Sequence, residues 1–123
     1  MSPTFIILYV NNIEASTAFY TDLLGRSPVE SSPNFAGFVL ESGVFLGLWS
    51  KAVVEPATAV MGGGTELGFT ANDAAAVDTM HDDWRARHIQ IVQTPTQMDF
   101  GYTFVGLDPD GHRLRVMFAP SNG

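Results

Sequence analysis

Phe45, Gly47 and Trp49 alternate along the short apolar run Val44–Ser50, and their types suit molecular recognition rather than bond-making. The run reads as a β-strand opened by a Ser42-Gly43 turn. Successive strand side chains point to opposite faces, so Phe45, Gly47 and Trp49 share one face while Val44, Leu46 and Leu48 share the other. The second set is an ordinary aliphatic core row. The first places two rings on either side of a position with no side chain. Packed interiors rarely tolerate a void, so the pattern has two readings: a slot that a planar ligand fills, or a bulge or close backbone approach at Gly47. A second stretch, Gln97-Met98-Asp99-Phe100-Gly101-Tyr102, reads as a loop with soft and aromatic groups around a glycine pivot. Met98, Phe100 and Tyr102 either adapt to a flat ligand or pack a β-β connection onto a sheet.

Other chemistries lack their residues. The 123-residue chain has no cysteine, which excludes thiol catalysis, disulfides and Cys-type zinc sites. Of its three histidines, His81 and His88 fall on or beside a predicted helix and His112 follows a predicted turn; each reads as a surface or capping residue. Gly62-Gly63-Gly64 is no phosphate loop, since no Lys-Ser/Thr follows it. A net charge of −7 repels phosphate backbones, which argues against nucleic acid as a partner; it favours solubility first, and then a neutral or cationic small molecule. No apolar run is long enough to span a membrane and no basic leader precedes Thr4, so the expected location is the cytoplasm. The length suits one domain.

The elements that must position these residues repeat. Thr4–Val10 is strand-like by its β-branched and aromatic content. Asn11 and Asn12 offer caps to a helix over Ile13–Leu24, with Phe19, Tyr20, Leu23 and Leu24 on one face and Gly25 as its stop. A short edge strand lies between Pro28 and Pro33, and Phe35–Glu41 is a further strand. Lys51–Gly64, rich in small residues, reads as a flexible connector. The pattern then returns: a strand over Thr65–Ala71, a cap at Asn72-Asp73, and a helix over Ala74–Arg87 with Val77, Met80 and Trp84 inward. Strands over Ile89–Thr94, Tyr102–Leu107 and His112–Phe118 follow, the last two joined by a tight Asp108-Pro109-Asp110-Gly111 turn. Each half reads β-α-β-β-β, so the chain is an internal duplication.

A tandem βαβββ chain carrying Tyr9-Val10-Asn11-Asn12-Ile13-Glu14-Ala15-Ser16, Phe19-Tyr20, Leu24-Gly25, Thr103-Phe104 and Asp108-Pro109-Asp110-Gly111-His112 resembles the vicinal oxygen chelate superfamily of glyoxalases, extradiol dioxygenases and bleomycin-resistance proteins. The resemblance implies an α+β fold: modules over about 1–50 and 64–120, joined by a connector over 51–63, forming a curved mixed sheet around a cavity with the helices outside. Strand alternation then sets Phe5, Ile7 and Tyr9, with Glu66, Gly68 and Thr70, and Arg113, Arg115 and Met117, on the cavity side. In metal-dependent members four strand positions hold one divalent ion; here they carry Phe5, Gly47, Glu66 and Arg115, so no metal and no other cofactor is expected. The shared Leu48-Trp49-Ser50 and Phe100-Gly101 stretches are most similar to the phenazine-antibiotic resistance proteins. That likeness implies a homodimer that binds a planar aromatic molecule without chemistry, Trp49 serving as the stacking platform. Because Glu66 and Arg115 stand where metal-binding members of the superfamily hold two ligands of one ion, their oppositely charged side chains are expected to converge in an ion pair. Two further readings stay open: an enzyme of glyoxalase or dioxygenase type using Glu66 as base or Arg115 as anion clamp, and a bleomycin-type binder of a cationic drug.

Overall fold

The computed structural model describes residues 1–59 and 62–120, which form two compact units, Met1–Met61 and Gly62–Gly123. Unit 1 contains β1 (Phe5–Val10), α1 (Ile13–Leu24), β2 (Glu30–Ser32), β3 (Phe35–Val39) and β4 (Phe45–Ser50). Unit 2 contains β5 (Glu66–Thr70), α2 (Ala74–Ala86), β6 (Ile91–Met98), β7 (Gly101–Leu107) and β8 (Arg113–Phe118). The sheets have matching orders, β1-β4-β3-β2 and β5-β8-β7-β6, each with one parallel pair and antiparallel remainder. The fold is therefore α+β, with the duplication read from the sequence. The displacement that carries Phe5 onto Glu66 also carries Asn12 onto Asp73. Both are N-caps whose side chains accept from the backbone N–H three residues on, satisfying a donor that the helix itself cannot.

Each helix covers one face of its own sheet. In unit 1, α1 packs on β3 and β4, and Leu8, Val10, Ala36, Phe38, Leu46 and Leu48 are buried. In unit 2, α2 sets Trp84 edge-on against Phe69 and Phe104, and Gly106 leaves the room that the indole occupies. Leu114 and Val116 complete that layer. The alternation therefore holds in both sheets, with Phe5, Ile7, Tyr9, Glu66, Gly68 and Arg115 on the helix-free faces.

Four local expectations need correction. The inward stripe of α2 is Val77, His81 and Trp84 rather than one through Met80. His81 is thus a core residue, edge-on to Phe104 with its Nε2 enclosed and without a hydrogen-bond partner. It stands where unit 1 has the buried Tyr20. Next, the strand expected to end at Thr94 continues: β6 runs on to Met98, and its register slips between Gln93 and Thr96. A proline fits there because a bulge needs no ladder N–H at that point. The connector is not uniformly irregular either. Lys51–Val53 forms a 3-10 turn, Val54 is buried, and Gly62 lies so close to the Asp110 carbonyl and His112 that a Cβ would fall 2.9 Å from each. Residues 60 and 61 of that connector lie outside the described residues.

The fourth correction concerns the tight turn, where His112 is not a surface residue. The Asp108 carboxylate accepts from the Asp110 and His112 backbone N–H groups at 2.9 and 2.8 Å and lies 2.7 Å from His112 Nδ1. Its side chain is fully enclosed and the imidazole is 11% exposed. A buried carboxylate is stable only when paired and hydrogen-bonded, and this one has three partners. The Asp108 hydrogen bond raises the His112 pKa above its ordinary 6.5, against the opposing effect of burial. A raised folded-state value means that the stabilisation is complete below 6.5 and is lost as pH climbs through the raised value.

Two outcomes follow for stability. Urea midpoints of the wild type should fall as pH rises above 6.5, and His112→Gln should flatten that slope; parallel profiles would contradict the pairing. Asp108→Ala, which orphans two backbone donors, should cost about 2–3 kcal/mol at neutral pH in the same measurement.

Candidate functional site

The helix-free face of unit 1 is aromatic because five of its strand positions are rings. Register places Tyr9 beside Trp49, Ile7 beside Gly47 and Phe5 beside Phe45 across the parallel β1–β4 ladder. On the other side of β4, Phe35 pairs with Trp49 and Gly37 with Gly47. The two glycines are occupied diagonally. The Phe35 ring lies over Gly47 together with the Ile7 Cδ1 methyl, and the Phe45 ring lies over Gly37. The two phenyl rings run parallel at 9°, with centroids 6.2 Å apart. The space over Gly47 is thus filled by the protein itself, and close approach is the reading of this strand glycine that the structure supports. Neighbouring side chains reach over the missing Cβ, so no void forms. Trp49 remains partly accessible and meets Tyr9 edge to face at 6.3 Å. Phe5 is 60% exposed and Tyr9 39%.

The equivalent face of unit 2 is polar. Arg115 stands at the position of Gly47 and Glu66 at that of Phe5, and they form a two-pronged ion pair: Nε to Oε2 at 2.8 Å, Nη2 to Oε1 at 2.9 Å. Nη1 also donates to Gln93 Oε1 and to Thr103 Oγ1, each at 3.2 Å. Thr103 is held in turn by donating to the Val116 carbonyl at 2.8 Å, while Gln93 Nε2 reaches Met98 Sδ at 3.4 Å. The guanidinium carbon lies 5.6 Å from the centre of the Phe100 ring, within cation–π range. Directly across from Arg115 in the ladder, Gly68 has nothing within 4 Å of where its Cβ would be. Open space next to a ring-sized group, expected at Gly47, is found at Gly68 instead.

The Arg115 hydrogen bonds hold the Glu66 carboxyl below the usual carboxylate value of 4.5, against the upward effect of burial. The same pairing raises Arg115 further. Glu66 therefore stays ionised at neutral pH with both oxygens engaged, which makes it a poor general base. Its lowered value means that the pair stabilises the fold above pH 4.5 and fails as pH falls through that lowered value. With the Glu66 side chain 36% exposed and that of Arg115 18%, solvent screening keeps the pair near about 1 kcal/mol, below the range of a deeply buried pair.

The expected site residues divide as follows. Phe5, Ile7, Tyr9, Phe45, Gly47 and Trp49 share the open face of unit 1. Glu66, Arg115, Met98 and Phe100 gather on that of unit 2. Tyr102 belongs to neither: it pairs with Phe118 on the helix side of β7, and its hydroxyl donates to Asp78 of α2 at 2.6 Å. Strand parity is the reason, because the turn at Asp99-Phe100 starts β7 at Gly101 and turns Tyr102 away from Arg115. The sequence reading missed Gln93 and Thr103 as partners of Arg115. Parity across β7 and β8 could have found Thr103, but the bulge in β6 hides Gln93. The residues at the four ligand positions do not fit a divalent cation. Phe5 and Gly47 have no donor atom, Arg115 is cationic, and both oxygens of Glu66 already accept from it. Among the described residues no three His, Asp or Glu side chains converge. A groove of about 930 Å³ in unit 1 lies elsewhere, between α1 and the segment around β2, lined by Glu14, Thr17, Thr21, Ser31 and Ser32 among others. It lacks aromatic walls and none of the expected residues lines it. No helix among the described residues is long and apolar enough to cross a membrane.

Comparison with known proteins matches this layout. The chain is 29% identical over 119 residues to the phenazine antibiotic resistance protein EhpR of Enterobacter agglomerans, covering 94% of this chain and 91% of that one. A protein of Agrobacterium tumefaciens solved by solution NMR is 52% identical, with a TM-score of 0.89 over 98% of this chain and 99% of the other. A glyoxalase/bleomycin resistance protein/dioxygenase from Nocardioides is 25% identical, with a TM-score of 0.86 over 100% and 86% of the two chains. A family model also matches residues 3–116, nearly the whole of both βαβββ units, and the chain belongs to the Glyoxalase/Bleomycin resistance protein/Dioxygenase superfamily.

Proposed function

We propose that this protein binds and sequesters a planar aromatic small molecule of the phenazine type in the cytoplasm, without metal and without chemistry, and so confers resistance to it. The observation that carries the reading is the accessible ring cluster of Phe5, Tyr9 and Trp49 on a sheet face that its own helix does not cover. Soluble proteins seldom leave rings grouped in the open without a partner for them. The likeness to a phenazine resistance protein supports the same ligand class. The state of Glu66 weighs against the enzymatic reading, since its carboxylate is ionised and fully engaged by Arg115. The spread of acids along the chain weighs against a bleomycin-type cation binder. The reading includes a homodimer in which both subunits contribute to binding.

Trp49 is the platform in this reading, with Phe45 as a further contact on the same face of unit 1. Aromatic stacking contributes about 0.5–1.5 kcal/mol beyond the buried area, and tenfold in affinity is about 1.4 kcal/mol. Trp49→Ala should therefore weaken phenazine binding by more than about tenfold once the lost area is included, as read by isothermal titration. Unchanged binding would place the ligand elsewhere. Gly47→Leu should instead act on folding: its side chain would meet Ile7 Cδ1 and the Phe35 ring, both under 3.0 Å from the new Cβ. Overpacking of this kind costs about 1–3 kcal/mol. A Gly47→Leu variant as stable as the wild type in urea would show that the space is empty after all.

A further inference from the structure

The donors of Arg115 are almost fully used. A guanidinium has five N–H groups, and it grips a carboxylate through two of them in parallel. Here Nε and one Nη2 proton go to Glu66, and both Nη1 protons go to Gln93 and Thr103. Only one Nη2 proton is left, so no parallel pair remains for a second carboxylate. An arriving anion would also meet Glu66 itself, which is ionised and 36% exposed. The neighbouring space is nevertheless open: Gly68 faces Arg115 across the ladder with nothing within 4 Å of its missing Cβ, and Phe100 lies on the guanidinium. A flat ring can use this corner by lying against the held guanidinium plane and taking the single free N–H at its edge.

We propose that the Glu66–Arg115 pair makes the open face of unit 2 selective, admitting uncharged planar aromatics into the space over Gly68 and turning away those that carry a carboxylate. This rests on the planar-aromatic reading and narrows it. Glu66 acts as an internal anion that already occupies the seat a ligand carboxylate would take. Removing it would expose Nε and Nη2 as a parallel pair and reverse the preference.

The test compares phenazine-1-carboxamide with phenazine-1-carboxylate, which match in shape and differ in charge, by isothermal titration at pH 7.5 and constant ionic strength. The wild type should bind the carboxamide at least about tenfold more tightly. Glu66→Ala should move the ratio by tenfold or more toward the carboxylate, and Glu66→Gln should move it in the same direction. Glu30→Gln, which removes one negative charge from the exposed β2 strand, should leave the ratio unchanged. A wild type that binds both compounds alike, or prefers the carboxylate, overturns the proposal and leaves the planar-aromatic reading standing. So does a ratio unmoved by Glu66→Ala, or one moved equally by Glu30→Gln. If neither compound binds the wild type, the planar-aromatic reading falls and this proposal falls with it. Circular dichroism and urea midpoints of each variant show that a changed ratio comes from a folded protein.

Discussion

A four-stranded sheet with one helix can bury only one of its two faces. Each unit of this protein meets that constraint in the same way. Leu, Val, Ala and Phe alternate toward the helix, and many of the intervening residues are released from core duty, although Thr103 and Val105 stay buried. What stands on the released face is therefore free to be chosen for binding. Because both units share one strand order, equivalent positions of the two open faces can be compared residue by residue.

That comparison shows one scaffold used for two chemistries. Phe5 and Gly47 in unit 1 correspond to Glu66 and Arg115 in unit 2. In unit 1 a missing side chain is covered by the Phe35 ring and the Ile7 methyl, giving an aromatic surface. In unit 2 the corresponding position holds a guanidinium, and the residue in the place of Phe35 is Thr103, which accepts from it. Ile7 is matched by Gly68, so the aliphatic cover is absent just where the arginine needs room. The substitutions are coordinated: a ring over a glycine requires neighbours without side chains, and an arginine in the plane of a sheet requires acceptors around it.

Most buried polar groups follow the same logic of pairing; among the described residues Thr17 Oγ1 and His81 Nε2 are enclosed without a partner. Asp108 is enclosed and has three partners, which fixes the β7–β8 turn and gives His112 its raised affinity for a proton. His81 has a ring contact on one side and an enclosed Nε2 without a partner, where the other unit places a tyrosine. The stripe position demands bulk, and histidine supplies it at the expense of one unsatisfied nitrogen.

The duplication, the caps at Asn12 and Asp73, the tight turn and the two faces of most strands were legible in the sequence, because they depend on local rules: alternation in strands, capping chemistry and turn preferences act over a few residues. The Glu66–Arg115 pair was legible only through the resemblance, which supplied the fact that two distant strand positions converge. Three features were decided by tertiary structure alone. Gly47 signalled a missing side chain, but only the packing of Phe35 and Ile7 determined that the space was filled, while the open one lay at Gly68. Tyr102 shared a stretch with Met98 and Phe100, yet the placement of a two-residue turn sent it to the helix side, where Asp78 accepts its hydroxyl proton. Gln93 and Thr103 carried no local mark at all; they bind Arg115 because register, including a bulge at Pro95, brings three strands together at one point. Face and cap are properties of a segment. Register and the filling of space belong to the assembled sheet, where each side chain's position depends on residues far away in the chain.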